Sequence, residues 1–328
     1  MTNPDVFLQP ESMNKKRTMK TPKESKTMEA DINDTTSHKG GLHDDNSQPN
    51  EIVKMRDVPF ESGLFVNYRS GTILDNLLCS YIGLPKGVNY MIIGDPGVGK
   101  TTIILDMIAN IEKHKNDARI LFISAEMNEI DLAIYVQRYP KFGELNILFV
   151  ESDFDGNSHH LEKIENVLQQ GWDIVAIDSF YELQGIIKEE ENITMRLAEA
   201  KLLALIKRHN KANNNLRTHT TFLTIQQVTK RGAFIGSNRL KHMITAMMEL
   251  RFDNPKNIYS DRYIVFSKHR RGDVGVKLYY SLSGAGDVFF DEARYQQDLQ
   301  LRNLQNNVTT QLRDFATQFD RLFNNEIV

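Results

Sequence analysis

The sequence predicts an α/β fold: a mainly parallel sheet that ends in antiparallel strands, with helices on both faces. Three observations predict it. Short apolar runs alternate with stretches of helical period through the middle of the chain. After Thr245 the rhythm changes to closely spaced strands with turn residues between them. Finally, a glycine-rich stretch, Ile92–Thr102 (IIGDPGVGKTT), sits where the first strand passes into the first long helix.

Taken in order, residues 1–58 are rich in Lys, Asp, Asn, Ser and Thr, with hardly any aliphatic side chains. Such a segment buries too little apolar surface to offset its ordering entropy, so it reads as a disordered polar tail. Residues 59–292 carry the fold. Val88–Ile93, Arg119–Ser124, Asn146–Val150, Ile174–Ile177 and Thr221–Ile225 read as buried strands, and helical stretches such as Thr101–His114 and Thr194–His209 lie between them. Strands alternating with helices require crossover connections, hence parallel pairing. Ala246–Phe252, Arg262–Ser267 and Val276–Leu282 supply the antiparallel end. Residues 293–328 form a polar helix with an apolar stripe at Leu301, Leu304, Val308, Leu312, Phe315, Phe319 and Leu322. That stripe suits either packing on the chain's own core or a partner helix.

Composition excludes several classes. Forty basic against 43 acidic residues leave a net charge of -3, which rules out a strongly basic nucleic-acid coat but not a local basic patch. One cysteine, Cys79, can form neither a disulfide framework nor a four-cysteine zinc site. No apolar run reaches the roughly 18–20 residues that span a bilayer, and the N-terminus lacks a signal-peptide stretch. The expectation is a soluble, intracellular (cytoplasmic) protein without a membrane partner.

Gly94–Thr101 (GDPGVGKT) fits G-x-x-x-x-G-K-[ST] at every position, between a strand and a helix. The glycines let backbone N–H groups turn inward and cradle phosphates at a helix N-terminus. Lys100 neutralises charge on the β- and γ-phosphates, and the Thr101 hydroxyl ligates Mg²⁺. Gly94, Asp95, Pro96, Gly97, Val98, Gly99, Lys100, Thr101 and Thr102 are therefore the expected binding residues for ATP and Mg²⁺. Asp178 ends a buried strand, where ligands sit in open α/β sheets, and is the expected second metal-side group. Glu126, just past the strand that follows the phosphate-loop helix, is the expected carboxylate that orients or deprotonates the attacking water. Helix capping is the structural alternative for both carboxylates.

From Ser70 to about Phe290 these motifs resemble the RecA-like ATPases, and the RadA (Sms) DNA-repair branch in particular. The segments that carry the resemblance are SGTILDNLL, SAEMNEIDLAIYVQRY with Arg138, VAIDSF, ITMRLAEAKLLALIK and VTKRGAFIGSNRLKHMITAMMEL. SKHRRGD is similar to that branch's Lys-Asn-Arg-Phe-Gly motif and to the Lys-x-Arg-x-Gly of DnaB-type helicases. The resemblance implies a homo-oligomeric ring or filament (a hexamer is the expected ring) in which Lys268 and Arg270 act on a neighbour's ATP. It implies a γ-phosphate-sensing role for Gln227, where RadA proteins usually have histidine. The chain departs from RadA in lacking the zinc finger, in ending with a short helical tail, and in placing Arg271 where that family has phenylalanine. The compact form points to a phage or mobile-element version.

The loop after Gln227 offers Lys230, Arg231, Arg239 and Lys241, with Phe234 among them. Cations neutralise phosphates and an aromatic ring stacks on a base, so Lys230, Arg231, Phe234 and Arg239 are the expected contacts to single-stranded DNA. Glu189, Glu190 and Glu191 would repel a phosphate backbone and are expected to face solvent, and adjacent His159 and His160 are expected to be exposed. The function so indicated is a DNA-dependent ATP hydrolase in recombination or repair. Its alternatives are a DnaB-like replicative helicase motor and a KaiC-like signalling ATPase that does not use DNA.

Overall fold

A computed structural model describes residues 54–58, 62–114, 118–151, 159–211, 219–228 and 235–324. The chain divides into two units, Met1–Val58 and Pro59–Val328. In the first, the described residues form one turn of 3-10 helix, Met55–Asp57. The rest of the expected polar tail lies outside the described residues.

The second unit is built on a nine-stranded sheet. Its elements run α1 (Asp75–Leu78), β1 (Asn89–Gly94), α2 (Lys100–His114), β2 (Ile120–Ser124), α3 (Glu129–Arg138), β3 (Asn146–Phe149), α4 (His160–Leu168), β4 (Ile174–Asp178), α5 (Phe180–Glu190) and α6 (Met195–His209). They continue with β5 (Thr221–Ile225), α7 (Asn238–Met243), β6 (Ala246–Phe252), β7 (Arg262–His269), β8 (Leu278–Leu282), β9 (Val288–Phe290) and α8 (Glu292–Asn324). The strand order is β3-β2-β4-β5-β1-β6-β7-β8-β9. Pairing is parallel from β3 through β6 and antiparallel from β6 through β9.

Burial explains the pattern. The inner strands β2, β4 and β5 are buried along their whole length, as continuous apolar runs must be when helices cover both faces. Alternation along β1 divides the core. Tyr90 and Ile92 join the cluster beneath α2, while Met91 and Ile93 join the one beneath α4, α5 and α6. Each fully buried Ile, Leu or Phe of these clusters contributes about 1.5–3 kcal/mol. β9 was not foreseen, since three residues (Val288–Phe290) are too few to show an alternation.

The C-terminal helix α8 is 33 residues long, about 50 Å at 1.5 Å per residue. Only its first turns pack on the body. Tyr295 is buried, Leu299 contacts the core, and Arg302 donates to the carbonyls of Val274 and Gly275. The apolar stripe does not fold back: Leu301, Leu304, Val308, Leu312, Phe315 and Phe319 are all at least half exposed. Among the described residues no helix is long and apolar enough to cross a membrane.

Candidate nucleotide site

The carboxyl ends of β1, β2, β4 and β5 converge, as ligand sites do in open parallel sheets, and line a cavity of about 500 Å³. The phosphate loop leaves β1 at Gly94. A Cβ there would lie 2.3 Å from the Leu250 carbonyl of β6, so only glycine allows the strand and the loop to pass so closely. Gly99 holds φ at +101° and would collide with Leu282 if it carried a side chain. The front of the loop is tied down as well. Asp95 accepts from Arg251 Nη1 at 3.0 Å and from the Phe252 amide at 3.2 Å, and Arg251 also bonds Glu249. The carbonyl of buried Val98 accepts from the Tyr280 hydroxyl at 2.8 Å.

Lys100 Nζ donates to the carbonyls of Gly94 and Asp95, at 3.2 Å each. Burial lowers its pKa, against the attraction of Asp178, Glu126 and Asp95. The Thr101 hydroxyl donates to Asp178 Oδ2 at 2.5 Å. Asp178 is 4% exposed, and burial pushes its pKa up to about 6, an effect reinforced by Glu126 and opposed by Thr101 and Lys100. Glu126 stands exposed on the turn after β2. That turn is fixed to β4, because the Ala125 amide donates to the Asp178 carbonyl at 2.7 Å, and Ser124 Oγ donates to the Met127 carbonyl at 2.9 Å.

The Lys100 ammonium, the Thr101 hydroxyl and the carboxylates of Asp178 and Glu126 form a set that fits a magnesium-bound polyphosphate, since Mg²⁺ binds through one or two carboxylates together with phosphate oxygens. Among the described residues no group of three or more His, Cys, Asp or Glu side chains is arranged to hold a metal ion.

Gln227 also lines the cavity, and its Nε2 donates to Glu182 Oε1 on α5 at 3.1 Å. Its buried neighbour Gln226 points elsewhere: Nε2 donates to the Ile235 carbonyl at 2.5 Å, while Oε1 has no hydrogen-bond partner among the described residues. The chain leaves this region through Ser237, which caps α7 and donates to Glu199 on α6, itself within 3.5 Å of the Gln184 amide on α5. Lys230, Arg231 and Phe234 lie outside the described residues, whereas Arg239 is exposed on α7.

Lys268 and Arg270 are not among the residues that line the cavity. They leave the end of β7 and donate to the carbonyls of Lys241 and His242 in the last turn of α7. His269, between them, turns the other way. Its Nε2 lies 3.1 Å from the Leu77 carbonyl, and its Nδ1 accepts from the Arg271 amide at 3.2 Å. This fixes the neutral ring, with Nε2 as the donor, and burial lowers its pKa. Gly272 is required here, since a Cβ would lie 2.7 Å from the His269 ring.

Some residues were missed. Tyr135 of α3 lines the cavity with its hydroxyl 3.1 Å from Thr102 Oγ1, and burial pushes its pKa up to about 12. No motif marks it. Arg251 did leave a signal, a charged residue inside an otherwise apolar strand. Two expectations also change. His160 is buried, not exposed, and its amide and Nδ1 both lie within 3.1 Å of the Glu190 carboxylate. Glu191 pairs with Lys201, so of the acidic triplet only Glu189 is exposed, with Lys188 4.0 Å away.

No family model matches the chain. In sequence it is similar to the DNA repair protein RadA of Aquifex aeolicus, 24% identical over 222 residues, 65% of this chain and 44% of that protein. The RadA of Campylobacter jejuni is 27% identical over 218 residues, 63% and 43% of the two chains. The match thus spans less than half the length of these relatives. Among solved structures, a KaiC-like protein from the archaeon Pyrococcus horikoshii superposes with a TM-score of 0.53 at 20% identity, over 69% of this chain and 98% of that one. The fold is shared with that KaiC-like protein, and the sequence is similar to RadA.

Proposed function

We propose that the chain hydrolyses ATP in a ring or filament of its own copies and couples that hydrolysis to single-stranded DNA, in repair or recombination. One observation carries the reading. The phosphate loop, Glu126, Asp178 and Gln227 meet at one cavity, while the two cations that a phosphoryl-transfer site still needs, Lys268 and Arg270, stand outside it. A site so divided is completed by a neighbouring copy.

In this reading the amides of Gly97, Gly99 and Lys100 bind the phosphates. Thr101 and Asp178 hold Mg²⁺. Bound MgATP supplies the phosphoryl group that is transferred. Glu126 orients the attacking water and takes its proton on the carboxylate. Gln227 senses the γ-phosphate from the start of the segment that reaches DNA through Lys230, Arg231, Phe234 and Arg239. The neighbour's Lys268 and Arg270 stabilise charge that develops on the transferred group. The chain then has three parts: a polar tail (1–58), the ATPase domain (59–292), and a helical tail (293–328) that meets a protein partner.

The deciding experiment is ATP turnover with and without single-stranded DNA. Several-fold stimulation is expected. Unchanged turnover, with no binding at low salt, would favour a signalling ATPase instead. Gln227 and the Lys-x-Arg-x-Gly segment favour a helicase of the DnaB type as the second reading, and vigorous unwinding of forked DNA without a recombinase would select it.

A further inference from the structure

Beyond Arg302, α8 is a helix whose sequence disfavours a helix standing alone. Asn303, Asn306, Asn307, Thr309, Thr310 and Thr317 are weak helix formers. Helices in water owe most of their stability to packing of an apolar face. Yet on this helix Leu301, Leu304, Val308, Leu312 and Phe315 are 51–66% exposed. The hydroxyls of Thr309, Thr310 and Thr317 donate only to carbonyls one turn back in the same helix. The segment is formed, but nothing in the described part of the chain covers it.

Its spacing and charge say what does. Leu301, Val308 and Phe315 recur every seven residues, and Gln305, Leu312 and Phe319 form the second row of the same repeat. These are the d and a rows of a coiled-coil seam. From Val308 onward the positions flanking that seam, Thr309, Gln311, Ala316 and Gln318, are all uncharged. The charged residues Arg313 and Asp314 fall on the outer side. Neutral flanks offer no charge to select a differently charged partner and no repulsion against an identical one, so the surface is complementary to itself. Gln305, the single polar residue within the apolar rows, meets its own copy only when two helices lie parallel and in register, and that is the way a polar seam position fixes alignment.

We infer that Leu301–Phe319 pairs with the same segment of a second copy as a parallel, in-register, two-stranded coiled coil. This contact is separate from any that completes the nucleotide site.

Cysteine cross-linking tests it in the full chain without nucleotide, because the sole native cysteine, Cys79, is buried. Leu301→Cys and Phe315→Cys, near the two ends of the seam, are each expected to give a disulfide-linked dimer on mild oxidation, at least ten-fold more than Thr310→Cys on the outer face. Adding Leu312→Asp is expected to suppress the Leu301→Cys link. Equal linking at all three positions, as from a contact through the ATPase body alone, overturns the proposal. So does the absence of links at both seam positions, which an antiparallel or foreign partner would give.

Discussion

The Arg270 guanidinium donates to the main-chain carbonyl of His242 at 2.7 Å, and beside it the Lys268 ammonium donates to the carbonyl of Lys241. Both acceptors belong to the last turn of α7, where helix carbonyls lack internal partners and carry partial negative charge. The two cations are therefore held on the same short helix that receives the chain as it leaves the loop after β5.

If these cations serve a neighbour, Arg270→Ala should bind ATP normally and lose about 10³-fold in turnover, the scale of an arginine finger. Mixing Arg270→Ala with Glu126→Gln subunits should recover part of the activity, since some mixed interfaces then carry both intact halves. Full turnover by Arg270→Ala alone would remove the trans role.

Glu126→Gln keeps the shape of the turn tied to Asp178 and removes the proton acceptor. Turnover should fall by about 10²–10⁴-fold with little change in nucleotide affinity, as read by a fluorescent ATP analogue. A variant that hydrolyses ATP near the normal rate would exclude Glu126 as the base.

Asp178 makes stability depend on pH. Its carboxyl is raised from 3.8 in the unfolded chain to about 6 in the fold, mainly by burial. The folded state thus binds the extra proton, and the associated stability is present below pH 4 and lost as pH rises through 6. The loss at neutral pH is about 3 kcal/mol at most. Without nucleotide, Asp178→Asn should melt higher than the parent at pH 7 and no higher at pH 4. With Mg²⁺ and ATP it should lose the ligand-induced rise in Tm that the parent shows. An identical Tm difference at both pH values would contradict the assignment.

Gln227 Nε2 donates to Glu182 Oε1. Gln227→Ala should weaken ATP binding by no more than about ten-fold, since a single hydrogen bond contributes about 0.5–1.5 kcal/mol, and should abolish stimulation by single-stranded DNA. Stimulation that survives the substitution would separate Gln227 from DNA sensing.

The buried strands and the phosphate loop were legible because each is local: an apolar run, or a spacing that backbone geometry demands. Asp178 and Glu126 were legible because strand ends face ligands in parallel sheets. Tyr135 was not, because its place depends on how α3 lies against α2, which no short spacing encodes. His160 misled for the same reason: its partner Glu190 is thirty residues away. The α8 stripe was readable as an apolar row, but whether the row meets the body depends on the direction in which the helix leaves it.

Gln226 has a consequence for variation. Its amide grips Ile235, while Ser237 is gripped by Glu199 and, through it, by α5, which also meets Gln227. The entrance and the exit of residues 229–234 are thus fastened to the scaffold by groups that lie outside that stretch. A graft between Val228 and Ile235 would therefore begin beside Gln227 and end at Ile235, both already held by the scaffold.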